Sequence, residues 1–204
     1  MSVFRGFFKN PDYSKPEIFL HCGSDKQTEV TDDIRAIANN FNDRRDITTL
    51  AEIQQWLRRN MKEGEGPKFC RTSHEILTSR METGCADRGL AFIALSRAKN
   101  IPTIFVQTAH RSWVQDLQKR KEQARPVVGH ILVEVYINRE WYLIDPTTGY
   151  LMLGYDGTNP SISGRLYVFS KSLEVWDTGI RNIEENNETM INLFSGFEDA
   201  NFDQ

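Results

Sequence analysis

The chain has 204 residues, 39% of them hydrophobic and 26% charged, with a net charge of −3. That length suffices for one globular domain with a sizeable core. The small charge, with only Lys119, Arg120 and Lys121 as a basic run, argues against a nucleic-acid or anionic-membrane partner, and no apolar run approaches the roughly 20 residues that span a bilayer.

The first residues are broken by Arg5, Lys9 and Pro11, which is unlike a secretory leader. Cys22, Cys70 and Cys85 are too few and odd in number for a disulfide framework. A reducing, cytoplasmic setting is therefore expected. A first amphipathic helix is predicted over residues 31–41, opening on Thr31-Asp32-Asp33 and burying Ile34, Ile37, Ala38 and Phe41. A second is marked by a Thr49–Glu52 capping box and the stripe Leu50, Ile53, Trp56, Leu57 and Met61. It stops at Gly64-Glu65-Gly66-Pro67. A short helix is predicted over 73–80, then one from Cys85 to Asn100, and a strand over 101–108. Residues 114–125 are polar and read as a solvated helix or loop. Strands are expected over 128–137 and 141–145. In the first, His130, Leu132, Glu134 and Tyr136 share one face and Ile131, Val133, Val135 and Ile137 the other. Turn signals, a strand over 166–169 and a helix over 188–194 complete the chain. Helices first, then hairpin strands, make an α+β layout with an antiparallel sheet.

The stretch METGCADRGLAFIALSRAKNIPT carries the chemistry. With Thr83 as N-cap, Cys85 falls in the first helical turn, where free N–H groups and the positive dipole end lie. Such a place, with an imidazolium nearby, lowers a thiol pKa from about 8.5 to roughly 3.5–7.5. The same N–H groups can hold an oxyanion, and Gly84 leaves room for a carbonyl. A small buried core cysteine is the plain alternative.

A thiolate catalyst needs a base, and the base needs an orienting group. His130 lies in GHILVEVYINREWYLIDPTTG. If Asn138-Arg139 is a two-residue loop, Ile137 faces Glu140, and His130 and Asp145 become diagonal neighbours on one face. Their Cα atoms would then lie about 7–8 Å apart, within reach of an imidazole–carboxylate hydrogen bond. A three-residue loop would throw them onto opposite faces.

These two segments resemble the nucleophile helix and the histidine and aspartate strands of the transglutaminase-like superfamily. The order Cys, His, Asp matches, as do Ile-Pro after the helix, Val-Glu-Val after the histidine and Trp-Tyr-Leu-Ile-Asp-Pro. The resemblance covers residues 76–149, and LYVFSKSLEVWDTGI is similar to a small stand-alone group in it. It implies a papain-like core with the Cys85 helix packed on an antiparallel sheet. It assigns Cys85 as nucleophile, His130 as general base and acid, and Asp145 as the residue orienting His130. The chain would be a single domain over 1–204: an extension over 1–45 without a placeable motif, a catalytic core over 46–150, and strands and a helix over 151–204. The implied reaction is acyl transfer on amide bonds of protein or peptide substrates, through a thioester resolved by water or an amine. Neither metal nor other cofactor is implied. The zinc-binding Cys-x-x-Cys pairs of the glycan-removing branch are absent from the sequence, and the β-sandwich domains of animal cross-linking enzymes cannot fit. A catalytically silent module binding a peptide or protein is the second reading.

Other residues have two readings each. Cys70 and His74, four apart, could share a metal or coincide by chance. His21-Cys22-Gly23 is turn-like. Trp56 could donate to the oxyanion or fill the core. Asp87 suits the helix dipole but would oppose a thiolate if aimed at it. Trp141 and Tyr142 could flank the site or pack inside. Glu134 could touch substrate or face solvent. Trp113 and the polar stretch after it could overhang the cleft or form a surface helix.

Overall fold

A computed structural model describes residues 10–21, 23–119 and 126–196. Helices α1 (Asp32–Ala38), α2 (Ile47–Asn60), α3 (Ser73–Ser79) and α4 (Cys85–Ala98) come first, with a two-stranded parallel pair β1 (Lys62–Glu63) and β2 (Met81–Glu82) among them. The rest is mainly sheet: β3 (Thr103–His110), β4 (Gly129–Ile137), β5 (Glu140–Ile144), β6 (Leu151–Met152), β7 (Ser161–Ile162) and β8 (Leu166–Ser172). These six pair antiparallel in the order β6-β5-β4-β3-β8-β7. Helix α5 (Arg111–Lys119) follows β3, and α6 (Ile183–Ser195) follows β8. The expected α+β class holds.

Helix starts follow the local chemistry, though not always at the expected residue. Thr31 caps α1, its hydroxyl accepting from Ile34 N. The predicted Thr49–Glu52 capping box does not form. Asp46 starts α2 earlier, its Oδ1 accepting from Thr48 N at 2.8 Å and Thr49 N at 3.3 Å. Glu52 instead accepts from Asn42 N at 2.8 Å. A full capping box does appear on α3, between Thr72 and Glu75. Losing such a cap typically costs about 1 kcal/mol.

Helix α4 is the centre of the fold. From Ala86 to Arg97 every residue but Arg88 is buried. A helix apolar on all sides must be surrounded, and burying side chains such as Leu90, Phe92 and Ile93 contributes about 1.5–3 kcal/mol each. It packs against α1, α2 and α3 on one side and β3 and β4 on the other. Gly89 sets the approach to the sheet: a Cβ there would stand 2.8 Å from Ile131 Cγ2. Odd-numbered residues Ile131, Val133, Val135 and Ile137 join this core. Arg97, only 3% exposed, donates to the carbonyls of Phe19, Thr103 and Leu173 and to Thr28 Oγ1. It thereby ties the N-terminal segment to α4 and the sheet.

The opposite sheet face is also covered, by Tyr13 and Phe19 among others. That covering removes both readings of Glu134. It is fully buried, 2.5 Å from Lys171 Nζ, and accepts from Tyr13 Oη and Tyr155 Oη. The polar stretch after β3 also differs from expectation. Its helix starts at Arg111, and Trp113 and Val114 are buried against α6 instead of overhanging the cleft. Trp113 meets Phe194 edge-on at 6.0 Å. Residues 120–125 of that reading lie outside the described residues, as does Cys22. Among the described residues no helix is long and apolar enough to cross a membrane.

Candidate active site

Cys85 is the first residue of α4. Gly84 before it, not Thr83, occupies the cap position and has φ 146°, a conformation open to glycine and strained for other residues. Thr83 plays the reverse of a capping role. Its N–H and hydroxyl both donate to Asp87 Oδ2, at 2.9 and 3.0 Å. Arg71 Nη1 reaches the same oxygen at 3.1 Å. Asp87 therefore anchors the entry to α4 from inside, with Arg71 opposing its charge.

The β4–β5 hairpin supplies the other side. Asn138 and Arg139 both have positive φ, 51° and 68°, as a type I′ turn requires. Ile137 pairs with Glu140, and the ladder runs back to Val133 and Ile144. The expected register is thus the observed one. The ladder stops there, and Asp145 leads into the turn Asp145-Pro146-Thr147-Thr148-Gly149. His130 and Asp145 meet beyond the ladder and not as diagonal neighbours within it: Nε2 lies 3.1 Å from Oδ1. Cys85 lies close enough to His130 to act on the ring's charge, and the two line one cavity.

Charge follows from these contacts. The hydrogen bond to Asp145, then the nearness of Cys85, pushes His130 up to about 10 from an ordinary 6.5, against the effect of burial. Burial alone would raise Asp145, but the His130 hydrogen bond and charge, with Thr148 and Thr147, hold it at about 2. His110 is driven the other way, first by burial and then by the His130 charge.

The turn holding Asp145 is itself held. Thr147 N and Thr148 Oγ1 donate to its carboxylate at 2.8 Å each, and its own N–H donates to Tyr150 O at 2.9 Å. From α2, Gln54 Nε2 donates to Pro146 O at 2.6 Å and Arg58 donates to Thr148 O. Gly149, at φ 78°, lies under these two side chains, where a Cβ would be 3.0 Å from Arg58 Nη2. Sequence reasoning missed Gln54 and Arg58. Their spacing of four marks a common face of α2, but nothing local says what that face touches.

A cavity of about 160 Å³ opens beside the sulfur, and both Cys85 and His130 line it. Phe69 and, from α6, Asn186 and Met190 form further walls, and Gln107 of β3 lies in its lining. The remaining candidates lie elsewhere. Trp56 is packed between Phe41 and the Arg80 guanidinium, which sits 4.3 Å over its ring. Trp141 packs with Tyr13, Phe19 and Tyr136 on the far sheet face, and Tyr142 Oη donates to Glu140. His74 Nδ1 contacts Thr31 Oγ1 at 3.2 Å.

The profile of the transglutaminase-like superfamily matches residues 35–146, more than half of the sequence. The chain belongs to the transglutaminase-like superfamily. Membership points to a cysteine-based enzyme. The fold is shared with a solved structure from Cytophaga hutchinsonii described as a putative cysteine protease, at 19% identity and a TM-score of 0.54. That match covers 80% of this chain and 48% of the other, so this transglutaminase-like chain spans about half its neighbour's length. Comparison with curated proteins finds no match.

Proposed function

We propose that this transglutaminase-like protein is a cysteine-dependent acyl-transfer enzyme acting on amide groups of protein or peptide substrates. The observation carrying the reading is that His130, its Nε2 3.1 Å from Asp145 Oδ1, lines one cavity together with Cys85 at the start of α4. Cys85 is the nucleophile, its proton passing to His130. The sulfur bonds to the acyl carbon, the C–N bond breaks, and His130 returns the proton to the departing amine. Water or a second amine then gives a proton to His130, attacks the thioester carbon and releases the sulfur. Asp145 orients the ring and balances the imidazolium. The N–H groups opening α4, which have no partner within the helix, face the developing oxyanion.

The test is incubation with casein and a fluorescent primary amine, following label incorporation, ammonia release and peptide-bond cleavage together. Label incorporation identifies a cross-linking enzyme, ammonia alone a deamidase, and new amino termini a protease. If none of the three signals exceeds that of a Cys85→Ala variant, the acyl-transfer reading on protein substrates is lost.

A further inference from the structure

Gln107 stands apart from the network just described. It is 1% exposed, yet neither its Nε2 nor its Oε1 has a hydrogen-bond partner among the described residues. A buried amide without partners is a standing cost to the fold, and native proteins pair the great majority of such groups. Its position explains where a partner would come from. Gln107 lies opposite Ile131 in the β3–β4 ladder, one pair from Thr108 and His130. Ile131 is the residue that Gly89 of α4 packs against. The Gln107 side chain is therefore on the α4 side of the sheet, level with the opening turns of that helix, and it lines the same cavity as Cys85 and His130. At this point the ladder with β8 shifts register between Gln107 and Thr108. Such irregularities re-aim side chains near functional sites.

We propose that Gln107 is a catalytic residue: its carboxamide N–H donates to the acyl oxygen of the substrate as that oxygen gains charge. This rests on the acyl-transfer reading and deepens it. The helix supplies backbone N–H groups from one side of the oxygen, and Gln107 supplies a side-chain donor from the sheet side. Rotation about the side-chain bonds presents the NH2 group to the cavity it lines. Among the described residues the amide has no partner; in the tetrahedral intermediate it gains an anionic acceptor. The interaction is thus made most strongly in the transition state, where it raises rate more than binding.

Two reactions of the same sulfur separate this role from a packing role. Acylation by p-nitrophenyl acetate passes through an oxyanion, and alkylation by iodoacetamide does not. In Gln107→Met and Gln107→Leu the acylation rate, read as the p-nitrophenolate burst, should fall about 10²–10³-fold relative to the alkylation rate. A ratio of acylation to alkylation equal to wild type in both variants overturns the Gln107 assignment, including the case where both rates fall together, and leaves acyl transfer standing. A wild-type protein that releases no p-nitrophenolate above the Cys85→Ala variant, as burst or as steady turnover, overturns the acyl-transfer reading and this assignment with it.

Discussion

His130 is the residue on which the site's charge state turns. The hydrogen bond to Asp145 and the nearby Cys85 favour its protonated ring, the state that the proposed reaction needs for proton donation to a leaving amine. Replacing it by Ala should slow alkylation of Cys85 by iodoacetamide at pH 6 to the rate of Cys70, measured by mass spectrometry of the labelled peptides. Asp145→Asn keeps the shape of the turn but removes the charge that holds the ring; acyl transfer should fall by up to about 10⁴-fold, as when the acid of a comparable triad is replaced. The same contacts link stability to pH. The His130 value is raised from 6.5 to about 10, so its contribution is full below pH 6.5 and is lost as pH rises through 10. Asp145 is lowered from 3.8 to about 2, so its contribution is present above pH 3.8 and is lost as pH falls through 2. Urea midpoints measured from pH 6 to 10 should therefore decline more steeply for wild type than for His130→Ala. Parallel declines would mean that the ring is not held charged by its neighbours. The hairpin register was legible in the sequence because strand parity is a hard constraint: once two residues form the turn, every pair behind it is fixed; the His130–Asp145 contact itself lies beyond the last ladder pair and depends on the turn that carries Asp145. The unpartnered amide of Gln107 was not legible, since a strand glutamine looks the same whether or not something bonds it.

Among the elements, α2 does more than its apolar stripe announces. One face fills the core, while Gln54 and Arg58 hold the carbonyls of the turn that carries Asp145. Gly149→Ala should disturb this clasp twice over, by forcing a side chain into a positive-φ position and by meeting Arg58. It should cost about 1 kcal/mol or more in chemical denaturation, and it should lower kcat more than it changes KM, because the displaced group is the support of His130 and not a substrate contact. The capping residue of α2 shows why element ends are hard to read. Thr49 and Glu52 satisfy the local pattern, but Asp46 offers a carboxylate to the same N–H group and to the one before it. At α4 the expected cap Thr83 is a donor to Asp87, a relation fixed by Arg71 from another segment.

For the molecule as a whole, the sheet is insulated on both faces, and the polar groups trapped inside must answer one another. Glu134 and Lys171 form the clearest case, with burial and not charge dominating the lowered lysine. Glu134→Ala strips Lys171 and two tyrosine hydroxyls of a shared acceptor and should cost about 3–5 kcal/mol. Replacing both Glu134 and Lys171 by Met should cost much less, as measured by denaturant titration; equal losses would show that the pair itself supplies the stability. The sequence could not foretell this burial, nor that of Trp113, because the covering segments, Tyr13 and α6, lie far away along the chain. Only contacts that local periodicity dictates, such as the apolar stripe of α2, can be read without them.

Because the sulfur stands on the tip of the most enclosed helix, it has no hinge of its own. The amide hydrogens of Leu90 to Leu95 should exchange with deuterium only when the entire domain opens, and thermal inactivation should track that opening. Tolerance to heat in this protein would then be won by stabilising any part of the α4 surroundings, however distant from the reacting atoms.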